Sequence, residues 1–196
     1  MKYYFVHFQG EFNDSLMCSA VEQLEGLRHE AEKLSMTYVE DTCQTREQRK
    51  AKVTILFNSS GGLMSVGFGL YDYLREFEHD MEHYGWAVEA RAVGIVGSAC
   101  FYAYLGISKR SSYPNTQFLI HPSSVPTPGD PFMDRARLGN LMNRLEKGTI
   151  LGSRILEERT KMSKKMIQHS IGKERSGETI IFVPEAIEFG IVTETP

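Results

Sequence analysis

The sequence predicts an α/β fold built on a largely parallel sheet. Three observations lead there. Short β-branched and aromatic runs alternate along the chain with longer segments of helical periodicity. Val53–Phe57 (VTILF) is apolar almost throughout, the pattern of a strand covered on both faces. Glycine-rich turns stand where strand gives way to helix.

Each element has its own signal. Tyr3 to Phe8 is aromatic and β-branched and reads as a strand. Asn13 or Asp14 then caps a helix whose Leu16, Met17, Ala20, Val21, Leu24 and Leu27 recur at three- and four-residue steps. Residues from about 30 to 52 are strongly polar, ending in TREQRKAK, and are expected to form a solvated insertion. After Val53–Phe57 comes the turn Asn58-Ser59-Ser60-Gly61-Gly62, a helix from about Met64 to Glu82 and a strand from Val88 to Val93. Gly97-Ser98 opens a helix of small and aromatic residues reaching Leu105. Thr116 to Ile120 is a third buried strand, broken by His121-Pro122. A proline-rich loop leads into a long amphipathic helix, about 132–160. A helical piece around Ser163 to Ser170, the strand Thr179 to Val183 and a helix opening at Pro184 complete the chain.

Composition bounds the function. The 196 residues suit a single domain, 1–196, and the 41% apolar content suffices for a packed core. Twenty-two basic against 25 acidic groups leave a net charge of −3, which gives no footprint for nucleic acid or an anionic membrane. Cys18, Cys43 and Cys100 share no metal-ligand spacing, so neither a metal site nor a disulfide framework is expected, and no cofactor is implied. The longest uncharged stretch, Ala92–Ile107, falls short of the about 20 residues of a bilayer span. The N-terminus lacks the apolar core of a secretory signal, so a soluble, cytoplasmic protein is expected.

In α/β folds catalytic groups gather where strands hand over to helices. Four features lie at such junctions: the Gly61-Gly62 pair, Ser98, His121 and Glu178. Each has a plain reading alone: a turn, a helix N-cap, a strand-end histidine and a surface carboxylate.

Taken together, their order and spacing resemble the ClpP peptidases, serine proteases of the ClpP/crotonase superfamily. VTILFNSSGG (Val53–Gly62) is similar to that family's segment ending in Asn-Ser-Pro-Gly-Gly, with Ser60 in place of the proline. Val93-Gly94 through Ser98 resembles the nucleophile segment, and Tyr113-Pro114-Asn115-Thr116 through His121-Pro122 the strand that carries the histidine. Pro184-Glu185-Ala186 through Val192 resembles the terminal helix.

The resemblance implies a ClpP/crotonase-like fold with a protruding handle helix, and a serine endopeptidase acting on peptides or unfolded protein. It implies Ser98 as nucleophile, His121 as general base, and as orienting acid Glu178 or, alternatively, Glu174. The backbone N–H groups of Gly61 and Ala99 would form the oxyanion hole. Gly62, Leu63 and Met64 on one side and Ser123, Ser124 and Val125 on the other would pair with an extended substrate. Leu138, Leu141, Met142, Leu145, Thr149, Gly152 and Leu156 form one apolar stripe on the long helix. That stripe either packs within its own subunit or, as the resemblance implies, joins two rings of a homo-oligomer. The chain opens at its first strand without a counterpart of the family's axial loops, which leaves partnership with an AAA+ unfoldase open. Two further readings stand beside the protease: a catalytically silent structural or regulatory ring subunit, and a crotonase-type acyl-CoA enzyme.

Overall fold

The computed structural model describes residues 1–36, 50–124, 134–172 and 177–194. Its strands are β1 (Lys2–Gln9), β2 (Ala51–Ser59), β3 (Ala87–Gly97), β4 (Arg110–Ser112), β5 (Gln117–Ile120) and β6 (Thr179–Phe182). The helices are α1 (Asp14–Met36), α2 (Met64–His83), α3 (Ser98–Leu105), α4 (Arg135–Arg159), α5 (Lys164–Ile171) and α6 (Val183–Glu188). The strands form one sheet in the order β1-β2-β3-β5-β6, with β4 paired to β3 off this path. All pairings are parallel except β5 with β6.

The burial of each strand follows its sequence pattern. At the sheet edge, β1 alternates, with Val6 and Phe8 buried and Tyr3, Phe5 and His7 exposed. In β2, Val53, Thr54 and Ile55 are buried in succession, as a strand covered on both faces requires. Phe8, Phe57, Tyr104 and Phe118 interlock beneath the sheet, with ring centroids 5.0 Å apart for Phe8–Phe57, 5.5 Å for Phe57–Tyr104 and 5.6 Å for Tyr104–Phe118.

One expectation needs correction, and one strand was not expected. The polar stretch from about 30 to 52 is not an insertion throughout, because α1 runs on to Met36 and β2 begins at Ala51. Ala31 is buried, and Glu30 accepts from the Tyr4 hydroxyl at 2.5 Å and pairs with Lys2 at 3.2 Å, which tie the last turns of the helix to β1. Residues 37–49 lie outside the described part of the chain. The strand β4 went unpredicted because Arg110, Ser111 and Ser112 are polar, although all three are buried.

A bulge in β3 positions the site. Phe57 pairs with Ala92 but Ser59 with Val96, so β3 takes four steps against two of β2. The Asn58 side-chain oxygen accepts from the Ile95 N–H at 3.4 Å within this bulge. Below it β3 pairs with β4 through Ala90–Ala92, and above it with β5 through Ile95–Gly97. The upper end of β3 therefore lies beside β5, the strand that ends just before His121.

The long helix α4 behaves as two parts. Near its C-terminus Gly152, Ile155 and Leu156 are buried. Toward its N-terminus Leu138 is 48% exposed and Met142 63%, while Leu141 and Leu145 are half-buried, so the stripe there is only partly covered by the described residues. Arg110 secures the other end. Its guanidinium donates to the carbonyls of Ile107, Arg159, Gly190 and Ile191, where the chain leaves α3, α4 and α6. Burial pulls this guanidinium down to about 10. Among the described residues, no helix is long and apolar enough to cross a membrane.

Candidate active site

Parallel pairing brings the C-terminal ends of β1, β2, β3 and β5 to one edge of the sheet, and antiparallel β6 starts at that edge. Gly61-Gly62 follows β2, Ser98 follows β3, His121 follows β5 and Glu178 precedes β6. Residues far apart in sequence thus share one rim for topological reasons alone.

Ser98 is the first residue of α3 rather than its cap, which is Gly97. Its φ of +50° makes it the one non-glycine in the left-handed region among the described residues. Such a conformation costs about 1–3 kcal/mol and concentrates at functional sites. The hydroxyl-bearing residue is 9% exposed. Next to it, Ala99 has an N–H in the first turn of α3, where no carbonyl of the helix can receive it.

Gly61 touches this turn directly. A Cβ on it would lie 2.5 Å from Ser98 Cβ, 2.8 Å from the Gly97 carbonyl oxygen and 3.1 Å from the Ala99 nitrogen. Its φ of +115° excludes other residues for a second reason. The Gly61 N–H donates to Ser59 Oγ at 3.0 Å, and that hydroxyl in turn donates to the Gly10 carbonyl. Ser59 therefore holds the loop in place and, in this structure, occupies the N–H expected to serve as an oxyanion donor. The sequence signal for Ser59 is its place in the turn Asn58-Ser59-Ser60-Gly61-Gly62; its bonding is not readable there.

The segment expected to receive substrate has one side already paired. Phe12 N–H donates to the Gly61 carbonyl at 2.8 Å and Leu63 N–H to the Phe12 carbonyl at 2.7 Å. Successive peptide groups of an extended chain point to opposite sides, so the N–H and C=O of Gly62 face away from Phe12. Gly62 and Leu63 are exposed and Met64 is half-buried.

His121 sits one residue beyond β5 and is half-buried. Its Nδ1 lies 2.7 Å from the carbonyl oxygen of Pro122. Gly97 pairs with Leu119, which sets the end of β3 beside the end of β5. No hydrogen bond joins the Ser98 hydroxyl to the imidazole among the described residues. The β5–β6 ladder pairs Ile120 with Thr179, and one further step in that register puts Glu178 opposite His121. Glu178 is exposed, and no ion pair or hydrogen bond links it to the imidazole among the described residues.

Ser123 packs on α4, its Oγ 3.0 Å from the point where a Cβ of Gly148 would stand. Ser124 is exposed. Val125 and Glu174 lie outside the described residues. Burial pushes the Cys100 thiol up, against a weaker hydrogen bond with the Ser59 backbone, so this near neighbour of Ser98 is an apolar filler rather than a nucleophile. Among the described residues no group of three or more His, Cys, Asp or Glu could hold a metal ion.

Comparisons with known proteins agree with this architecture. A sequence model of the family described as Clp protease matches residues 42–195. Among solved structures, a mutant of ClpP1 from Listeria monocytogenes superposes with a TM-score of 0.64 at 22% identity, covering 98% of this chain and 90% of that one. At that identity the likeness speaks to the fold. With most of its length matched by the family model and its whole architecture shared with a ClpP, this chain belongs to the Clp protease family.

Proposed function

We propose that the chain is a serine endopeptidase that cleaves peptides or unfolded protein inside an oligomeric chamber. The observation that carries this reading is the contact between the Gly61 backbone, Ser98 and the Ala99 amide at the head of α3. A hydroxyl held in a strained conformation beside backbone donors is what acyl transfer needs.

In this reading Ser98 Oγ attacks the substrate carbonyl while His121 takes its proton. Negative charge on the former carbonyl oxygen is met by the N–H of Ala99, and by that of Gly61 once it turns from Ser59 Oγ. His121 then protonates the leaving amine, and water releases the acyl group by the same route in reverse. Glu178 supplies the acidic partner across from the imidazole; Glu174 is the alternative. An extended substrate pairs with the outward N–H and C=O of Gly62, with the side chains of Leu63 and Met64 alongside, since the Leu63 amide and carbonyl are taken by Phe12 and α2 and Met64 opens that helix; Ser123, Ser124 and Val125 are the opposite wall. Main-chain pairing of this kind favours broad side-chain specificity. The exposed half of α4 would join a second ring, making a homo-oligomer that an AAA+ unfoldase is free to feed.

A second reading is a silent ring subunit, favoured by the lack of a hydrogen bond between Ser98 and His121 among the described residues. Hydrolysis of a fluorogenic peptide by wild type and Ser98→Ala separates the two. The protease reading expects kcat to fall by roughly 10⁶-fold in the variant. Equal rates in both proteins would leave the silent subunit standing.

A further inference from the structure

A serine hydrolase needs its histidine held with the proton on one chosen nitrogen, so that the other presents a lone pair to the nucleophile. Which nitrogen carries the proton is set by the bond the other side of the ring makes. A carboxylate usually supplies that bond. Here the Nδ1 of His121 already has a partner, the carbonyl oxygen of Pro122 at 2.7 Å. A carbonyl can only accept, so Nδ1 must donate and must carry the proton. Nε2 is left as the basic nitrogen.

We propose that the backbone carbonyl of Pro122, rather than a carboxylate, is the positioning group that fixes the tautomer and orientation of His121. This deepens the serine-peptidase reading and rests on it. Glu178, next in register to His121 but not bonded to it, then contributes negative charge across the strand pair without holding the ring.

Several features of the chain keep the carbonyl where it is. Proline fixes its own φ near −65° and biases the residue before it toward an extended backbone, which narrows the conformations of the His121–Pro122 peptide. The β5–β6 ladder ends at Ile120–Thr179, and Pro122, which lies beyond it, has no N–H with which to extend it. On the far side the loop is anchored by Ser123 against Gly148 of α4. When the imidazole gains a second proton, the Nδ1–H···O=C bond persists and becomes charge-assisted, so one geometry serves both protonation states.

The test reads the nitrogens directly. The full-length protein is labelled with ¹³C,¹⁵N-histidine, sedimented, and examined by magic-angle-spinning NMR in the neutral-imidazole range. The His121→Gln variant identifies the signal of interest. The expected result is a protonated Nδ1 and a bare Nε2 correlated with Cδ2, unchanged in Glu178→Gln. Pro122→Gly is expected to mix the tautomers and lower kcat by about 10²-fold with KM held, since a small displacement of a reacting group has that effect. The other histidine signals of that variant report whether it has folded. A bare Nδ1 in wild type, or a tautomer that changes in Glu178→Gln, would overturn the proposal. Failure of the peptidase reading looks different: no hydrolysis by wild type, with the Nδ1–H pattern still present.

Discussion

Ser98 combines two demands that oppose each other. Its left-handed backbone is unfavourable for any side chain, yet that turn is what sets Ser98 against the Gly61 backbone at the head of α3. Ser98→Gly is therefore expected to raise stability by about 1 kcal/mol while abolishing hydrolysis, read from urea midpoints and peptide turnover. Gly61→Ala acts in the opposite sense. Its methyl would meet Ser98 and the Gly97 carbonyl at sub-van-der-Waals distances, so a stability loss of about 1–3 kcal/mol is expected along with lost activity. An unchanged kcat in that variant would place the reactive centre elsewhere. Glu89 offers a residue-scale test away from the site. Burial pushes its carboxyl up, but bonds from Lys52 at 2.6 Å and Thr54 at 2.9 Å, with the charges of Lys52 and Arg91, outweigh this and hold it below the ordinary range. A carboxyl depressed in the folded state contributes stability above the unfolded-state value, and that contribution disappears as pH falls through the folded-state one. Glu89→Gln should thus cost about 1–2 kcal/mol at pH 7, with the difference from wild type closing in acid.

At the scale of elements, Arg110 joins three helix ends. Its guanidinium meets the carbonyls where α3, α4 and α6 end, the negative poles of those helices, and no carboxylate bonds to it among the described residues. Arg110→Met leaves those carbonyls unpaired and is expected to cost about 3 kcal/mol, measured by the urea midpoint at fixed protein concentration. A shift under a third of that would mean that water replaces the guanidinium readily. Arg110 also marks a limit of sequence reading, since β4 is too short and polar to announce itself by pattern. The longer elements were legible for physical reasons. The run at Val53–Phe57 is a buried strand, the run at Thr116–Ile120 holds a strand that alternates instead, with Gln117 exposed and Leu119 half-buried, and Gly97-Ser98 does open a helix. The polar stretch after about residue 30 misled because α1 needs only Ala31 and the half-buried Leu34 to stay seated on the core. Charge on its outer face hid that inner contact.

For the whole molecule, the candidate site was legible as residue types at strand ends, because a parallel sheet carries such ends to one rim. What resisted reading was everything made by the backbone: the carbonyl of Pro122 on His121, the pairing of Phe12 along Gly62 and the bulge that sets β3 beside β5. Backbone atoms are the same in every sequence, so only the fold reveals which of them are spoken for. Assembly is also a property at this scale. Leu138 and Met142 stand exposed on α4. Leu138→Glu with Met142→Glu is expected to reduce the assembled mass by about half, as two rings part, while the subunit keeps its circular dichroism. Light scattering after gel filtration reads that mass, and an unchanged value would assign the stripe another role.

The central claim is that the Ser98 hydroxyl is an activated nucleophile. Intact-mass and peptide-mapping spectrometry of the protein after exposure to a fluorophosphonate tests it most directly. The expected result is one adduct per chain, on Ser98, absent when His121 is replaced by alanine. A chain that stays unmodified, or that carries its adduct on another residue, would contradict the account.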